Sequence, residues 1–261
     1  MKALGIAASG MMAQQTNVDV IANNIANANT TGFKSGRAAF QDLIYQSERR
    51  QGAMTADDGA MRPVGTDIGL GVATAGVVRL HTQGGLTQTN NTLDMAIQGR
   101  GYFQIAMPDG TTAYTRAGNF SLSPEGTIVT FEGYELDPGI TVPEDATNIE
   151  ISADGVVRAY TADAVEAQEL GQINLANFIN EAGLRALGSN LLAETEASGE
   201  PMVAQAGDAG YGTLRQSYLE NSNVDVIKQI TDLITAQRAY EMNSKAITTA
   251  DQMMQTATQV R

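Results

Sequence analysis

Apolar side chains recur every seventh residue at both ends of this chain, and every second residue through its middle. From Val226 the sevenfold step reads Val226, Leu233, Tyr240, Ile247, Met254; from Leu4 it reads Leu4, Met11, Val18, Ile25. A seven-residue repeat keeps one seam of a helix turned toward a partner. Neither stretch contains Pro, and residues 222–260 also lack Gly, so nothing inside the last helix breaks it. Ser222 or Asn223 is placed to cap its start. The companion half-heptad positions there are Ile230, Gln237, Ser244, Asp251 and Thr258, of which only the first is apolar. Such a seam is too thin for a free-standing zipper, so these helices need company, including copies from other subunits. The first helix is expected over residues 3–28. It closes in a run of Asn ending Asn29-Thr30-Thr31-Gly32, residues that tolerate the left-handed turn at a helix end. The same amides can instead bridge to adjacent helices, and the residues alone leave both readings open.

Between the ends the period changes. Phe33 to Tyr45 is a short helix or strand, and residues 46–71 are a polar connector or small hairpin. From Val72 onward Val72, Thr74, Gly76, Val78 and Leu80 alternate on one face. Short β-type runs follow, such as Tyr102–Ile105, Thr127–Thr130, Asn148–Ile151 and Gln172–Leu175. Turn signals at Pro108-Asp109-Gly110, Ser123-Pro124-Glu125-Gly126 and Ala153-Asp154-Gly155 separate them. Residues 197–213, rich in Gly, read as a loose return to the last helix. The fold expected is therefore α+β: paired N- and C-terminal coiled-coil-type helices with an inserted, mainly antiparallel β domain. Its parts are a terminal helical domain (1–44 plus 215–261), the connector (45–71) and a β-rich outer domain (72–214).

Charge sharpens this division. The formal net charge is −13, which argues against nucleic-acid binding. Residues 45–214 carry 8 bases against 22 acids, while the two ends are near neutral. Near-neutral ends suit close packing among copies and an acidic middle suits the outside of an assembly, although acidic residues also simply solvate a domain. With no Cys there is no disulfide frame, thiol nucleophile or cysteine metal site. No apolar run reaches the length of a membrane span. Met1-Lys2 followed by Ala3–Ala13 is like a signal peptide, but Ser9-Gly10 interrupts it and the heptad runs on through it, so no cleavage is expected.

A search for chemistry returns nothing. The single His81 lacks a His or Cys partner for a metal site. There is no Gly-x-Ser-x-Gly elbow and no phosphate loop, and Gly99-Arg100-Gly101 reads as a strand bend rather than a dinucleotide fingerprint. Acidic pairs such as Asp57-Asp58 are adjacent in loops, with nothing to face them across a cleft. No catalytic residue, cofactor or metal is expected.

Three longer stretches carry a resemblance. Asn23-Asn24-Ile25-Ala26-Asn27-Ala28-Asn29-Thr30-Thr31-Gly32-Phe33-Lys34 is similar to the N-terminal signature of bacterial flagellar rod and hook proteins. Ser222-Asn223-Val224-Asp225, with Gln237-Arg238-Ala239-Tyr240-Glu241-Met242-Asn243-Ser244-Lys245, resembles the matching terminus. Leu93–Phe103 and Tyr114-Thr115-Arg116-Ala117-Gly118-Asn119-Phe120 resemble the family's central motif. The positions carrying the terminal motifs are Asn23, Asn24, Asn27, Gly32, Phe33, Gln237, Arg238, Tyr240 and Asn243. The phrase Leu80–Asn91, the overall length and the polar stretch near 46–66 resemble the branch whose members form a straight, stiff rod rather than a bendable hook. The resemblance implies a structural axial subunit that self-assembles into a helical tube, with paired terminal helices as its inner layer. Implied partners are copies of itself, proximal rod proteins, the hook protein, the surrounding basal-body rings and the flagellar type III export apparatus. Implied localisation is the periplasm-spanning rod of the basal body, reached without a cleaved signal peptide. The helix-seam residues named first are the expected subunit contacts.

Overall fold

In a computed structural model, residues 2–49, 64–161 and 167–259 are described. They are α+β and divide into two compact units. The first is built from both ends of the chain, residues 1–26, 36–78 and 225–261; the second from residues 27–35 and 79–224. The cut differs from the one the composition suggested. Residues 27–35, next to the first helix in sequence, belong with the β-rich unit because their hydrogen bonds go there. The stretch up to Val78 belongs with the helices.

The first unit contains α1 (Lys2–Ala26), β1 (Gly36–Asp42), β2 (Tyr45–Arg49), β3 (Thr66–Gly69), most of β4 (Val72–Arg79), and α2 (Val226–Gln259). The helices run antiparallel. The Asn24 amide donates to Gln229 Oε1 at 3.1 Å, and a Cβ at Gly10 would stand 2.9 Å from Asn243 Nδ2. Small residues set so close an approach: Ala7, Ala13 and Ala236 are buried, with Ile21 and Asn24. The expected cap at Ser222 or Asn223 is not the one formed. Asp225 Oδ1 accepts from the Lys228 amide at 3.1 Å, just ahead of the first helical residue. Asn223 is engaged elsewhere.

Within Phe33 to Tyr45, Gly36–Asp42 is strand and no helix forms. β1 pairs with β4, and β2 with β3 in register Tyr45↔Gly69 and Ser47↔Asp67. Backbone bonds from Leu43 to Gly71 and from Leu70 to Ile44 join the two pairs into one ribbon. α1 holds it at three levels. Asn24 exchanges two 2.8 Å bonds with the Gly36 backbone, Ser9 Oγ accepts from the Val72 amide, and Lys2 pairs with Glu48. The two flanks of the connector thus pair antiparallel. Its centre, including Asp57-Asp58 and Arg62-Pro63, lies outside the described residues.

The second unit carries β5 (Leu86–Gln88), β6 (Met95–Gln98), β7 (Tyr102–Ala106), β8 (Thr112–Thr115), β9 (Ser121–Leu122), β10 (Ile128–Val129) and β11 (Glu135–Leu136). It continues with β12 (Ala146–Ile151), β13 (Val156–Thr161), β14 (Gln168–Gln172), β15 (Asn174–Asn177), β16 (Arg185–Gly188) and β17 (Leu191–Ala193). It ends with β18 (Met202–Gln205), β19 (Thr213–Gln216) and β20 (Tyr218–Glu220). Strand β7 is the hub. It pairs with β8 along one edge; along the other it pairs first with β15 (Phe103↔Leu175) and then with β11 (Ile105↔Leu136). Alternation puts Phe103 and Ile105 into the main core with Phe120, Ile128, Leu136 and Ile173. Tyr102 goes to the opposite face with Tyr114, Phe178 and Leu192. The stretch 197–213 is less loose than its glycines suggested, since β18 pairs with β15 from Met202↔Asn177 to Gln205↔Asn174.

Candidate functional site

The two helices display their residues in an unexpected order. Toward α1, the second helix presents Gln229, Ala236 and Asn243, a sevenfold line of small and polar residues. Away from it, Ile227 is 79 % exposed and Ile230 and Ile234 about half exposed. The expected seam of Val226, Leu233, Tyr240, Ile247 and Met254 runs along the flank. Val226 and Tyr240 are exposed, while Leu233, Ile247 and Met254 are half-buried. A straight helix drifts ~20° per heptad against a sevenfold repeat, so this line does not keep to one side of α2. On α1, Leu4, Met11, Val18 and Ile25 are each half-buried. Val18 and Tyr240 meet across a groove of about 560 Å³, which Gln15, Gln237 and Glu241 complete.

The terminal motif residues divide by task. Asn24 clamps Gly36 and reaches Gln229; Asn27 closes the end of α1 by accepting from the Thr30 amide and hydroxyl. Asn23 is exposed, as are Gln237 and Arg238; Asn243 abuts Gly10; Phe33 is half-buried. Asn24 thus bridges and Asn27 caps, each within this one chain.

The second unit contains a feature that composition did not reveal. Glu220, with a side chain 0 % exposed, takes Lys34 Nζ on one oxygen and Arg116 Nε at 2.8 Å on the other. The Gly84 amide adds a 2.9 Å bond. Arg116 also donates to the carbonyls of Gly101 and Gly99, and Lys34 to that of Thr82. Lys34 comes from the N-terminal motif and Arg116 from the central one; Glu220 lies two residues before the C-terminal motif. Backbone ties reinforce the meeting. Gly32 donates to Glu220 O at 2.8 Å, and Asn190 Nδ2 to Thr31 O. The Ser35 amide donates to Asn223 Oδ1 at 2.7 Å, and Asn223 Nδ2 to the carbonyls of Leu80 and Thr82. Burial pushes the Glu220 carboxyl up, but the charges of Arg116 and Lys34 and the bonds from Lys34 and Gly84 outweigh it and hold the group below the usual carboxylate range. Burial brings Lys34 below the ordinary lysine range, against the opposing pull of Glu220.

His81 borders this cluster. Its Nδ1 lies 2.7 Å from Tyr102 Oη and 3.9 Å from Glu181. A cavity of about 270 Å³ there is lined by Lys34, His81, Arg100, Tyr102 and Glu181 among others. Burial lowers the His81 pKa; Glu181 opposes this, while Lys34, Arg79 and Arg116 add to it. Burial, with Glu181 next in weight, raises that of Tyr102. Among the described residues no cluster of three or more His, Asp or Glu is placed to hold a metal ion. The arrangement is thus a chain of tethers, with the imidazole neutral near pH 7.

Lys34, Arg116 and Glu220 were not singled out from the sequence. The available signal was that the N-terminal motif and residues 114–120 of the central one each carry a single cation amid uncharged residues, in a chain with 29 acids and 16 bases. A cation retained inside such a segment needs a buried partner.

Three family models match the chain. Residues 4–34 match the flagella basal body rod protein model, residues 96–159 the flagellar hook protein FlgE/F/G D1 domain, and residues 215–260 the flagellar basal body rod FlgEFG protein C-terminal model. Lys34, Arg116 and Glu220 each fall within a different one of these three stretches. The flagellar basal-body rod protein FlgG of Agrobacterium fabrum is 56 % identical over 97 % of both chains. That of Caulobacter vibrioides is 55 % identical over the full length of both. The rod protein FlgF of Caulobacter vibrioides is 34 % identical over 98 % of this chain and 96 % of its own. With identity this high over nearly the whole length, the chain belongs to the flagellar basal-body rod protein family, among its FlgG members.

Proposed function

We propose that this chain is the structural axial subunit of the flagellar distal rod, a non-enzymatic protein that polymerises into a helical tube and transmits torque from motor to hook. The observation that carries the reading is the outward face of α2. A helix that turns Ala and Gln inward and three isoleucines to solvent is built for contact with another molecule. Within one chain α2 contributes a single fully buried residue among those described, Ala236, so much of its apolar surface is left for sister copies to cover. Those contacts are heterologous, and a heterologous contact that does not close into a ring propagates as an open helix. The seam residues Leu4, Met11, Val18, Ile25, Val226, Leu233, Tyr240, Ile247 and Met254 flank that face, and α1 and α2 together form the inner layer, packed in coiled-coil fashion against neighbours.

On this reading the near-neutral helical ends line the tube and the acidic β unit faces the surrounding rings. The proximal rod lies at one end and the hook at the other. Delivery is through the flagellar type III export channel, into a rod that crosses the periplasm. No helix among the described residues is long and apolar enough to cross a membrane.

Leu233→Asp tests the reading in a strain whose own gene is deleted. Rods fail to form on electron micrographs of basal bodies, while the purified variant retains the β-sheet signal of the parent. Normal rods from that strain overturn it. A peptidoglycan-release assay on the purified parent protein stays at the buffer baseline; measurable release overturns the non-enzymatic assignment.

A further inference from the structure

We infer that Glu220 is a positioning residue, a latch that fixes the roots of both terminal helices within a single copy, before any sister copy is met. Residues 27–35 and 218–224 are far apart in sequence, 186 residues for Lys34 and Glu220, yet each is tied to the other. Gly32 donates to Glu220 O, Asn223 to Phe33 O, Ser35 to the Asn223 side chain, and Lys34 to the Glu220 carboxylate. Both are also tied to the body of the β unit, through Arg116, the Gly84 amide, the Thr82 carbonyl and Asn190. Lys34, Arg116 and Glu220 have side chains no more than 7 % exposed, so these pairs are shielded from salt and water. The helices themselves bury little, and elements with few buried contacts open most readily.

The boundary of firm structure in a lone copy therefore lies at 26/27 and at 224/225, rather than where the β pattern begins and ends. α1 leaves, and α2 enters, from two segments already held side by side. The latch goes beyond the rod reading and stands whether or not copies polymerise.

Hydrogen exchange on the full-length, dispersed protein tests it. The amides of Gly32, Ser35 and Asn223 exchange about as slowly as those of Phe103 and Ile105, and far more slowly than those of α1 and α2. Glu220→Gln speeds the three on the order of 100-fold and leaves Phe103 slow, because Lys34 and Arg116 both lose their buried counter-charge. Lys34→Arg keeps most of the protection. If Gly32 in the parent exchanges as fast as α1, or if Glu220→Gln leaves it slow, the latch is wrong. Should Glu220→Gln release Phe103 as well, Asn223→Ala decides, since it strands no buried charge. Release of residues 27–35 alone supports the latch, and no release overturns it. Sedimentation of the parent at rising concentration is read separately, so loss of the latch and loss of polymerisation cannot be confused.

Discussion

Gly32 lies so close to Ala117 that a Cβ on the glycine would stand 2.7 Å from the alanine's amide nitrogen. It does so at φ +70°, a conformation L side chains rarely adopt. Both the crowding and the dihedral select glycine where the first motif meets the second. Gly32→Ala is expected to destabilise the β unit by about 2 kcal/mol or more, read as a lowered urea midpoint with an unchanged slope.

In the other unit Asn24 has a comparable load. It is 2 % exposed, exchanges two bonds with Gly36 and gives one to Gln229. Asn24→Ala leaves the Gly36 amide without its acceptor, at a cost of roughly 1–3 kcal/mol. Loss of helical circular dichroism on warming, at a temperature where the parent is intact, would report it. The β-sheet signal is expected to stay unchanged.

Acid weakens the β unit in two stages. The folded pKa of His81 lies below its ordinary 6.5, so the unfolded chain takes up that proton first. The associated stability is present above 6.5 and drains away as pH falls from there toward the folded value. The folded pKa of Glu220 lies below 4.5, so its contribution is present above 4.5 and is lost as pH falls through its depressed value. Urea midpoints measured from neutral to roughly pH 3 decline first below 6.5, a stage absent in His81→Gln. They decline again below 4.5, a stage diminished in Glu220→Gln. Because His81 is the chain's single histidine, one imidazole signal in NMR follows the first stage without assignment.

The outward isoleucines are expected to act on assembly and not on folding. Ile230→Ser removes an apolar contact worth about 1–2 kcal/mol between copies, raising the concentration needed for polymerisation on the order of tenfold. The urea midpoint of the β unit stays where it was. Equal polymerisation by the variant and the parent would mean that this face of α2 is not used.

The helices were legible because Pro-free sevenfold patterns leave little choice, and the hairpins because Pro108-Asp109-Gly110 and Ser123-Pro124-Glu125-Gly126 announce their turns. What the pattern could not give was which side of a helix faces inward within one chain. Large residues at Val226 and Leu233 draw the eye, but the line that packs on α1 is Gln229, Ala236, Asn243, chosen for smallness and hydrogen bonding. The strand at Met202–Gln205 was hidden by the glycines around it, since pairing with Asn174–Asn177 is a long-range choice. Lys34, Arg116 and Glu220 were unreadable as a set for the same reason: a contact spanning 186 residues leaves no local trace beyond a charge that looks out of place. The cap at Asp225 was missed because two equally good capping residues stood just ahead of it, and Asn223 had another engagement.

One unit of this molecule is stitched from residues 1–26, 36–78 and 225–261, with the β unit read out between its two helices. On the ribosome α1 is made long before α2, so the helix pair has no way to close until α2 has emerged. All residues of the β unit precede α2 in the chain. A half-made chain accordingly has α1 without its helical mate and no outward isoleucines, and the adhesive surface comes into being only once α2 is made.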